Sequence, residues 1–366
     1  MRASADVAVV GGGVIGLSLA RELSSRGANV IVIERGHTGE EASSAAAGLL
    51  SPQSDAAAPS PFFDLARKSR DLYPDWSVTL AEETGAGVGW RRTGVLRCGP
   101  PESLQPFRWQ FAAGLPIENM EPSEVSHRTA GRAAKDLPGL FFPEDAVVDS
   151  RLLVRGLRLS LDQRAVEVVE GVAVTRFRVE GNECRGVDTT AGPVAAGRTV
   201  DAAGAWANLD PGLPFPIPVE PVSGQIVELT DEGPFPTVLA SDEVYLVPRG
   251  RSILAGATVE RTGFRKDLTA EGVTGLLSAA MVLAPSLAKA RVTCAWAGLR
   301  PGTPDGLPIL GESPIRGLFL AAGHYRNGVL LAPLTAQLLA DAVAGTPSPD
   351  LSAFSPERFA GAARAR

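Results

Sequence analysis

Residues 6–35 read DVAVVGGGVIGLSLARELSSRGANVIVIER. Val7 to Val10 form an apolar run that predicts a buried strand, and Val30 to Ile33 predict a second. Between them Ile15, Leu19 and Leu23 recur at spacing four, which predicts a helix over Val14 to Arg26. Gly27 stands where a left-handed C-cap would end it. Strand, turn, helix and strand in so short a span make a parallel βαβ unit.

Gly11, Gly13 and Gly16 form G-x-G-x-x-G between strand and helix. Gly11 permits the tight turn, Gly13 lets a pyrophosphate approach, and Gly16 lets the helix pack on the strand. At Val14 and Ile15 the helix N-terminus offers free N–H groups and a partial positive charge to phosphates. Glu34 ends the second strand, where a carboxylate accepts hydrogen bonds from ribose hydroxyls and repels a 2′-phosphate. Arg35 follows it at the same edge. NADP is therefore disfavoured, while NAD and FAD both fit. A nicotinamide domain usually continues with further strand–helix units. Here a small-residue loop follows, and no second fingerprint appears.

The chain has 366 residues, enough for about two domains. Apolar content of 45% and charged content of 21% exclude disorder and collagen. A net charge of −6 argues against nucleic acid as a partner, because an acidic surface repels phosphate backbones. Cys98, Cys184 and Cys294 are far apart and form no CxxC pair, so neither a disulfide framework nor a metal site is expected. The first residues lack the apolar core and cleavage site of a signal peptide. No apolar run is long enough to cross a membrane, and a cytoplasmic protein is expected.

Residues 39–61, GEEASSAAAGLLSPQSDAAAPSP, read either as a linker or as backbone that approaches a ligand closely. A helix follows around residues 62–76, with Pro74 as a kink or break. Residues 88–142 are short apolar runs split by Gly and Pro, which suggests a β-rich part. A helix is expected over 149–163, capped by Asp149 or Ser150, and another over 269–283. Short strands are expected over 168–207, ending in a strand from Thr199 to Ala203, and again over 217–258. Residues 317–345 have the shape strand, glycine loop, helix. The expected fold class is α/β (α+β). A Rossmann-like dinucleotide-binding domain with a parallel sheet is interleaved with a β-rich domain; the resemblance described next implies that the first is an FAD-binding and the second a substrate-binding domain. Residues 1–87, 143–216 and 290–366 belong to the first, and 88–142 and 217–289 to the second.

The opening βαβ unit with ASSAAAGLLSP (42–52) resembles the D-amino acid oxidase superfamily of flavoproteins. Within it, VYLVPR (244–249), GATVE (256–260), WAGLRPGTPDGLPILG (296–311) and AAGHYRNGVLLAP (321–333) resemble the glycine oxidase (ThiO) family of thiamine biosynthesis. The resemblance spans almost the whole chain. It implies noncovalent FAD and oxidation of small amines such as glycine, sarcosine or D-alanine, with oxygen as acceptor. It also allows a homo-oligomer, dimer or tetramer.

What the resemblance implies extends to single residues. Arg300 clamps the substrate carboxylate with its planar fork, Tyr245 adds a hydroxyl, and Arg326 lies beside the substrate near the flavin. Leu49 and Val259 occupy pocket positions that carry methionine in some relatives. Ser43, Ser44, Ala46, Ala47, Gly48 and Leu50 run beside the flavin ring and pyrophosphate. Val174 meets the adenine through its backbone, and Ala203 and Gly204 make the turn near the adenosine half. His324 contacts the cofactor or stands behind it. Asn327, Gly328, Val329 and Leu330 open a helix whose N-terminus answers negative charge on the reduced flavin. Some relatives attach flavin through a cysteine near AGLRPG. Leu299 and Arg300 stand there in this chain, and Cys294 lies five residues before Leu299. Two other readings share most of these features: a dehydrogenase that passes electrons to a carrier, and a non-catalytic flavin-fold protein.

Overall fold

A computed structural model describes residues 1–208, 213–231, 233 and 235–359. The strand Ser4–Val10 lies between Val30–Ile33 and Gly192–Asp201, parallel to both. Glu167–Val169 extends the parallel sheet on one side and Leu318–Ala322 on the other. Ile309–Glu312 closes that edge antiparallel. Val174–Glu180 and Glu183–Thr189 branch from Gly192–Asp201 as an antiparallel flap, giving eight strands. Val7 to Val10 and Val30 to Ile33 are all buried, as strands covered on both faces must be.

The helix Val14–Ser25 crosses between the first two strands, and Gly27 after it has φ +86°. It packs with the helices Ser150–Gln163 and Gly328–Val343 over one face of the sheet, in a core that includes Leu17, Leu19, Leu157, Leu161 and Leu339. Asp149 caps the middle helix by accepting from the backbone N–H groups of Arg151 and Leu152.

The second sheet also has eight strands, in the order Arg291–Gly302, Glu220–Thr230, Ser252–Gly256, Tyr245–Arg249, Val238–Ala240, Val95–Cys98, Gly139–Phe142, Glu118–Met120. Ala270–Leu283 covers one face, burying Leu276, Ala280 and Leu283 against Val227, Leu246 and Ala255.

Four local expectations change. The helix Pro61–Thr84 continues unbroken through Pro74. Its buried side chains Leu65, Tyr73 and Leu80 belong to the main core, and this packing outweighs one lost backbone hydrogen bond. Pro301 and Gly302 after Arg300 read as a turn, yet Arg291–Gly302 is one strand, because the register with Glu220–Thr230 continues as far as Gly302 opposite Glu220. That strand therefore belongs to the second sheet, although residues 290–366 were assigned to the FAD-binding part. Residues 88–142 contribute three strands, but also the short helices Pro101–Leu104, Trp109–Ala112 and Pro122–Arg128.

The closest backbone approach in the first sheet is at the glycine turn. Gly11 has φ +107°, and a Cβ on it would lie 2.4 Å from the Ala202 oxygen. A Cβ on Gly16 would lie 2.0 Å from the Gly11 oxygen. Gly16→Ala must push the helix off the strand, and overpacking of this kind costs roughly 1–3 kcal/mol. The expected outcome is a lower melting temperature with poor FAD retention, measured by thermal denaturation and flavin absorbance.

Candidate active site

A cleft of about 1820 Å³, counting its open mouth, lies between the two sheets. One end is lined by Gly13, Val14 and Ile15, the other by Tyr245, Val259 and Arg300, with Ala42 to Leu49 along its side. Val14 N–H donates to Ser43 Oγ at 2.9 Å, so the loop after the second strand lies across the helix N-terminus. A smaller recess is lined by Glu34, Arg35, Gly36, His37, Glu40 and Glu41. The Glu34 carboxylate accepts from Gly12 N–H at 2.7 Å and Gly36 N–H at 2.8 Å, which fixes it beside the glycine turn.

The loop 42–48 is held by its carbonyls. Ser150 Oγ donates to Ala46 O at 2.7 Å, Trp296 Nε1 to Ala45 O at 3.0 Å, and Arg249 Nη2 to Ala46 O and Ala47 O at 3.4 and 3.3 Å. Gly48 has φ +83°, and a Cβ there would lie 1.9 Å from Val148 O. Ser51 and Ser54 continue the lining. The turn that carries Ser54 is fixed by fully buried Asp145, which accepts from Ser54 N–H at 2.9 Å and faces Arg70 at 3.3 Å. Burial pushes the Asp145 carboxyl up to about 6 despite Arg70.

The substrate end is built by strand register. Arg97, Ala240, Tyr245, Gly256 and Ile226 lie opposite one another across five neighbouring strands, and all five line the cleft. Gly256 leaves room for the Tyr245 hydroxyl, which would lie 2.6 Å from a Cβ there. Burial raises the Tyr245 pKa, with nearby Arg300 and Arg326 acting against the rise, so the phenol stays protonated and can donate. Arg300 Nη1 donates to Ser223 O at 3.2 Å and Thr258 O at 3.0 Å. The bare Gly224 admits the guanidinium, which would lie 2.1–2.3 Å from a Cβ. Among the described residues no carboxylate pairs with Arg300. Burial lowers its pKa, partly offset by Tyr245, yet a guanidinium remains charged at any working pH. Glu260 accepts from Gln225 Nε2 and Thr258 Oγ1, both at 2.7 Å, and so steadies the Thr258 segment that holds Arg300.

The third wall is the turn after Leu318–Ala322. Gly323 and Tyr325 both have positive φ, and Tyr325, Arg326 and Asn327 form one helical turn before the helix Gly328–Val343. His324, Tyr325, Arg326, Asn327, Gly328 and Val329 all line the cleft. Arg326 is exposed there, whereas His324 is buried with Nε2 3.3 Å from Thr335 Oγ1. Burial pushes the His324 pKa down to about 3.

Glu34 and Arg35 line the smaller recess, and the other expected residues fall in several places. Tyr245, Arg300, Arg326, Leu49, Val259, Ser43, Ala46, Ala47, Gly48, Gly204, Asn327, Gly328, Val329 and His324 share one cleft with Gly13, Val14 and Ile15. Gly11 and Gly16 lie beneath it, and Leu50 and Leu330 have side chains in the core. Val174, Ala203 and Val172 each pack against the core on the far side of the sheet, where Val172 N–H donates to Glu34 O at 3.0 Å. Ser44 O faces Arg151 at 3.4 Å. The sequence reading missed Gln225 and Gly224, which carry no motif of their own. It also missed the supporting roles of Thr258, Glu260 and Arg249, although these lie within the quoted GATVE and VYLVPR.

The family profile DAO, FAD dependent oxidoreductase, matches residues 6–342. The chain belongs to this family. The cofactor is FAD, and this flavoenzyme fits it: the backbone at Gly11 to Gly13 is bare of Cβ atoms that would block a pyrophosphate, and small residues from Ala42 to Gly48 line the cleft. Glycine oxidase of Geobacillus kaustophilus (strain HTA426) is 37% identical over 97% of both chains. The bifunctional protein ThiO/ThiG of Trichormus variabilis (strain ATCC 29413 / PCC 7937) is 37% identical over 97% of this chain, which spans 55% of that protein's length. The crystal structure of glycine oxidase from Geobacillus kaustophilus superposes with a TM-score of 0.92, at 36% identity, covering 97% of this chain and 98% of that one. No helix among the described residues is long and apolar enough to cross a membrane.

His324 has a pH consequence. Its imidazole protonates near 6.5 in the unfolded chain and near 3 in the folded one. Between those values the unfolded state binds the extra proton, so stability falls as pH drops from 6.5 towards 3. His324→Gln is expected to flatten the fall in melting temperature between about pH 6.5 and 4.5. An unchanged slope would mean that His324 is protonated in the folded protein.

Proposed function

We propose that the flavoenzyme oxidises glycine and other small amino acids, such as sarcosine and D-alanine, to the oxo acid. Glycine, oxygen and water give glyoxylate, ammonia and hydrogen peroxide. Bound FAD, held noncovalently, takes up the two electrons and the hydrogen that leave the α-carbon, and oxygen takes the electrons onward. The observation that carries this reading is Arg300, a guanidinium fixed by two backbone carbonyls and paired with no carboxylate among the described residues. Its fork binds the substrate carboxylate, with the Tyr245 hydroxyl as a further donor. Arg326 adds positive charge at the flavin side of the same space. The apolar side chains of Leu49 and Val259 leave room for a small substituent only.

Glu34 and the glycine turn would hold the adenosine and pyrophosphate, Ser43 to Gly48 would line the flavin, and the helix starting at Gly328 would offer its N–H groups to negative charge on the reduced ring. His324 remains neutral and does not act as the base. The ThiO/ThiG relatives support a place in the thiazole branch of thiamine biosynthesis, where the imine would be consumed by a partner. Free cysteines suit the reducing cytoplasm in which we place the enzyme.

Anaerobic mixing with glycine is expected to bleach the yellow flavin, and air to restore it. No bleaching would remove the catalytic reading, whereas bleaching without recovery in air would make the enzyme a dehydrogenase. Arg300 provides the sharper test. Arg300→Lys keeps the charge but loses the two-pronged geometry, and Arg300→Ala leaves the substrate carboxylate unpaired. Truncating one side of a buried charge pair costs about 2–5 kcal/mol, so glycine kcat/KM is expected to fall roughly 30-fold or more in the alanine variant. FAD content is expected to stay near that of the wild type. Loss of FAD with normal glycine turnover in the remaining holoenzyme would assign Arg300 to the cofactor instead.

A further inference from the structure

The helix Gly328–Val343 contains Pro333 one turn after its start. Proline has no N–H, so the Val329 carbonyl, four residues earlier, has no donor within the helix. Val329 lines the cleft and is buried, so the carbonyl cannot be left bare without cost. The hydroxyl of Tyr73, from the middle of the helix Pro61–Thr84, donates to it. Four residues earlier on the same helix face, Ser69 Oγ donates to Leu330 O at 2.7 Å and accepts from Leu334 N–H at 3.4 Å. Both side chains are fully buried. The phenol stays protonated at every working pH, because burial raises its pKa.

The planar peptide bond carries these contacts to the cleft. Val329 C=O and Leu330 N–H belong to one rigid unit, and Leu330 C=O and Leu331 N–H to the next. In a helix each N–H points towards the N-terminus while its carbonyl points away. Fixing the Val329 carbonyl therefore fixes the aim of the Leu330 N–H, which has no partner within the helix, whereas the Leu331 N–H makes the first bond of the helix, back to the carbonyl of the N-cap Asn327. No side chain caps this helix, so no capping hydrogen bond holds that N–H.

We propose that Tyr73, aided by Ser69, is a positioning residue that replaces the hydrogen bond lost at Pro333 and thereby holds the first turn of this helix, with its free N–H groups, towards the flavin. This rests on the reading above that the flavin pyrimidine lies at Gly328–Val329. Tyr73 touches neither substrate nor cofactor and acts through the helix.

Sulfite tests this without any amino acid substrate. It adds to flavin N5 and leaves negative charge around N1 and the C2 carbonyl, so its dissociation constant reports how well that charge is stabilised. Tyr73→Phe keeps the ring and its edge contact with Trp76. In the holoenzyme it is expected to weaken sulfite binding roughly fivefold, with one FAD per chain retained. Pro333→Ala restores an N–H for the Val329 carbonyl, so the double variant Tyr73→Phe/Pro333→Ala is expected to return to within about twofold of the wild type. A purely structural Tyr73 would lower the melting temperature and leave the sulfite constant unmoved, which overturns the proposal. If Tyr73→Phe does not fold, the double variant carries the test: wild-type sulfite binding supports the proposal and weakened binding overturns it. A wild-type holoenzyme that forms no adduct would overturn the flavin assignment and the proposal together. An adduct unchanged by Tyr73→Phe overturns the proposal alone.

Discussion

The carbonyl oxygen of Gly11 lies 2.0 Å from the point where a Cβ of Gly16 would stand. That contact sets how closely the first helix approaches the first strand, and much of the FAD end follows from it. The helix must begin at the sheet edge, so its unpaired N–H groups open onto the cleft. Its backbone also passes close enough to the second strand for Glu34 to bond Gly12 N–H. The same carboxylate bonds Gly36 N–H and so faces a defined recess instead of solvent at large. A side chain at Gly16 would disturb the phosphate site, the ribose site and the sheet packing together.

Arg300 imposes the opposite kind of constraint. A guanidinium taken partly out of water needs compensation, and two carbonyl dipoles on Nη1 supply only part of what a carboxylate would. The remainder is left for the ligand. This is a reason for the glycine at 224 and for the hydrogen-bonded group Gln225, Thr258 and Glu260 behind it. They hold the guanidinium without neutralising it. Placing Glu260 in direct contact with Arg300 would stabilise the fold locally and weaken the affinity for a substrate carboxylate.

Sequence was most legible where local rules and tertiary packing agree. The first βαβ unit needs a buried parallel pair, a helix with one apolar face and a glycine turn, and each demand leaves its own pattern within 30 residues. Pro74 and Pro301 are where local rules failed. At the first the helix does not stop, because Tyr73 packs into the main core, and at the second the strand runs on, because its register continues opposite Pro221. The cleft residues Tyr245 and Arg300 could be singled out only through the motifs around them, because one tyrosine in a strand and one arginine among many carry no periodic signal. Gln225 and Gly224 escaped notice for the same reason: their roles exist only once Glu220–Thr230 lies beside Arg291–Gly302.

The chemistry needs a substrate carboxylate held by the second sheet and a cofactor held by the first to keep a fixed separation. Neither sheet alone can guarantee that distance. The loop 42–48 joins the two requirements, since its carbonyls are gripped by Ser150 on the FAD side and by Arg249 and Trp296 on the strands of the second sheet. Carbonyl oxygens suit this purpose because their positions follow the backbone, whereas side chains in so small-residue a segment would have little to offer. The composition ASSAAAG is therefore a structural requirement of the joint. Bulk would separate the sheets, as the 2.6 Å between Ala45 Cβ and a notional Cβ on Gly298 indicates. Polar side chains would compete for the donors that grip the backbone. Small residues leave the carbonyls accessible to those donors and the inner face open to a flat ring.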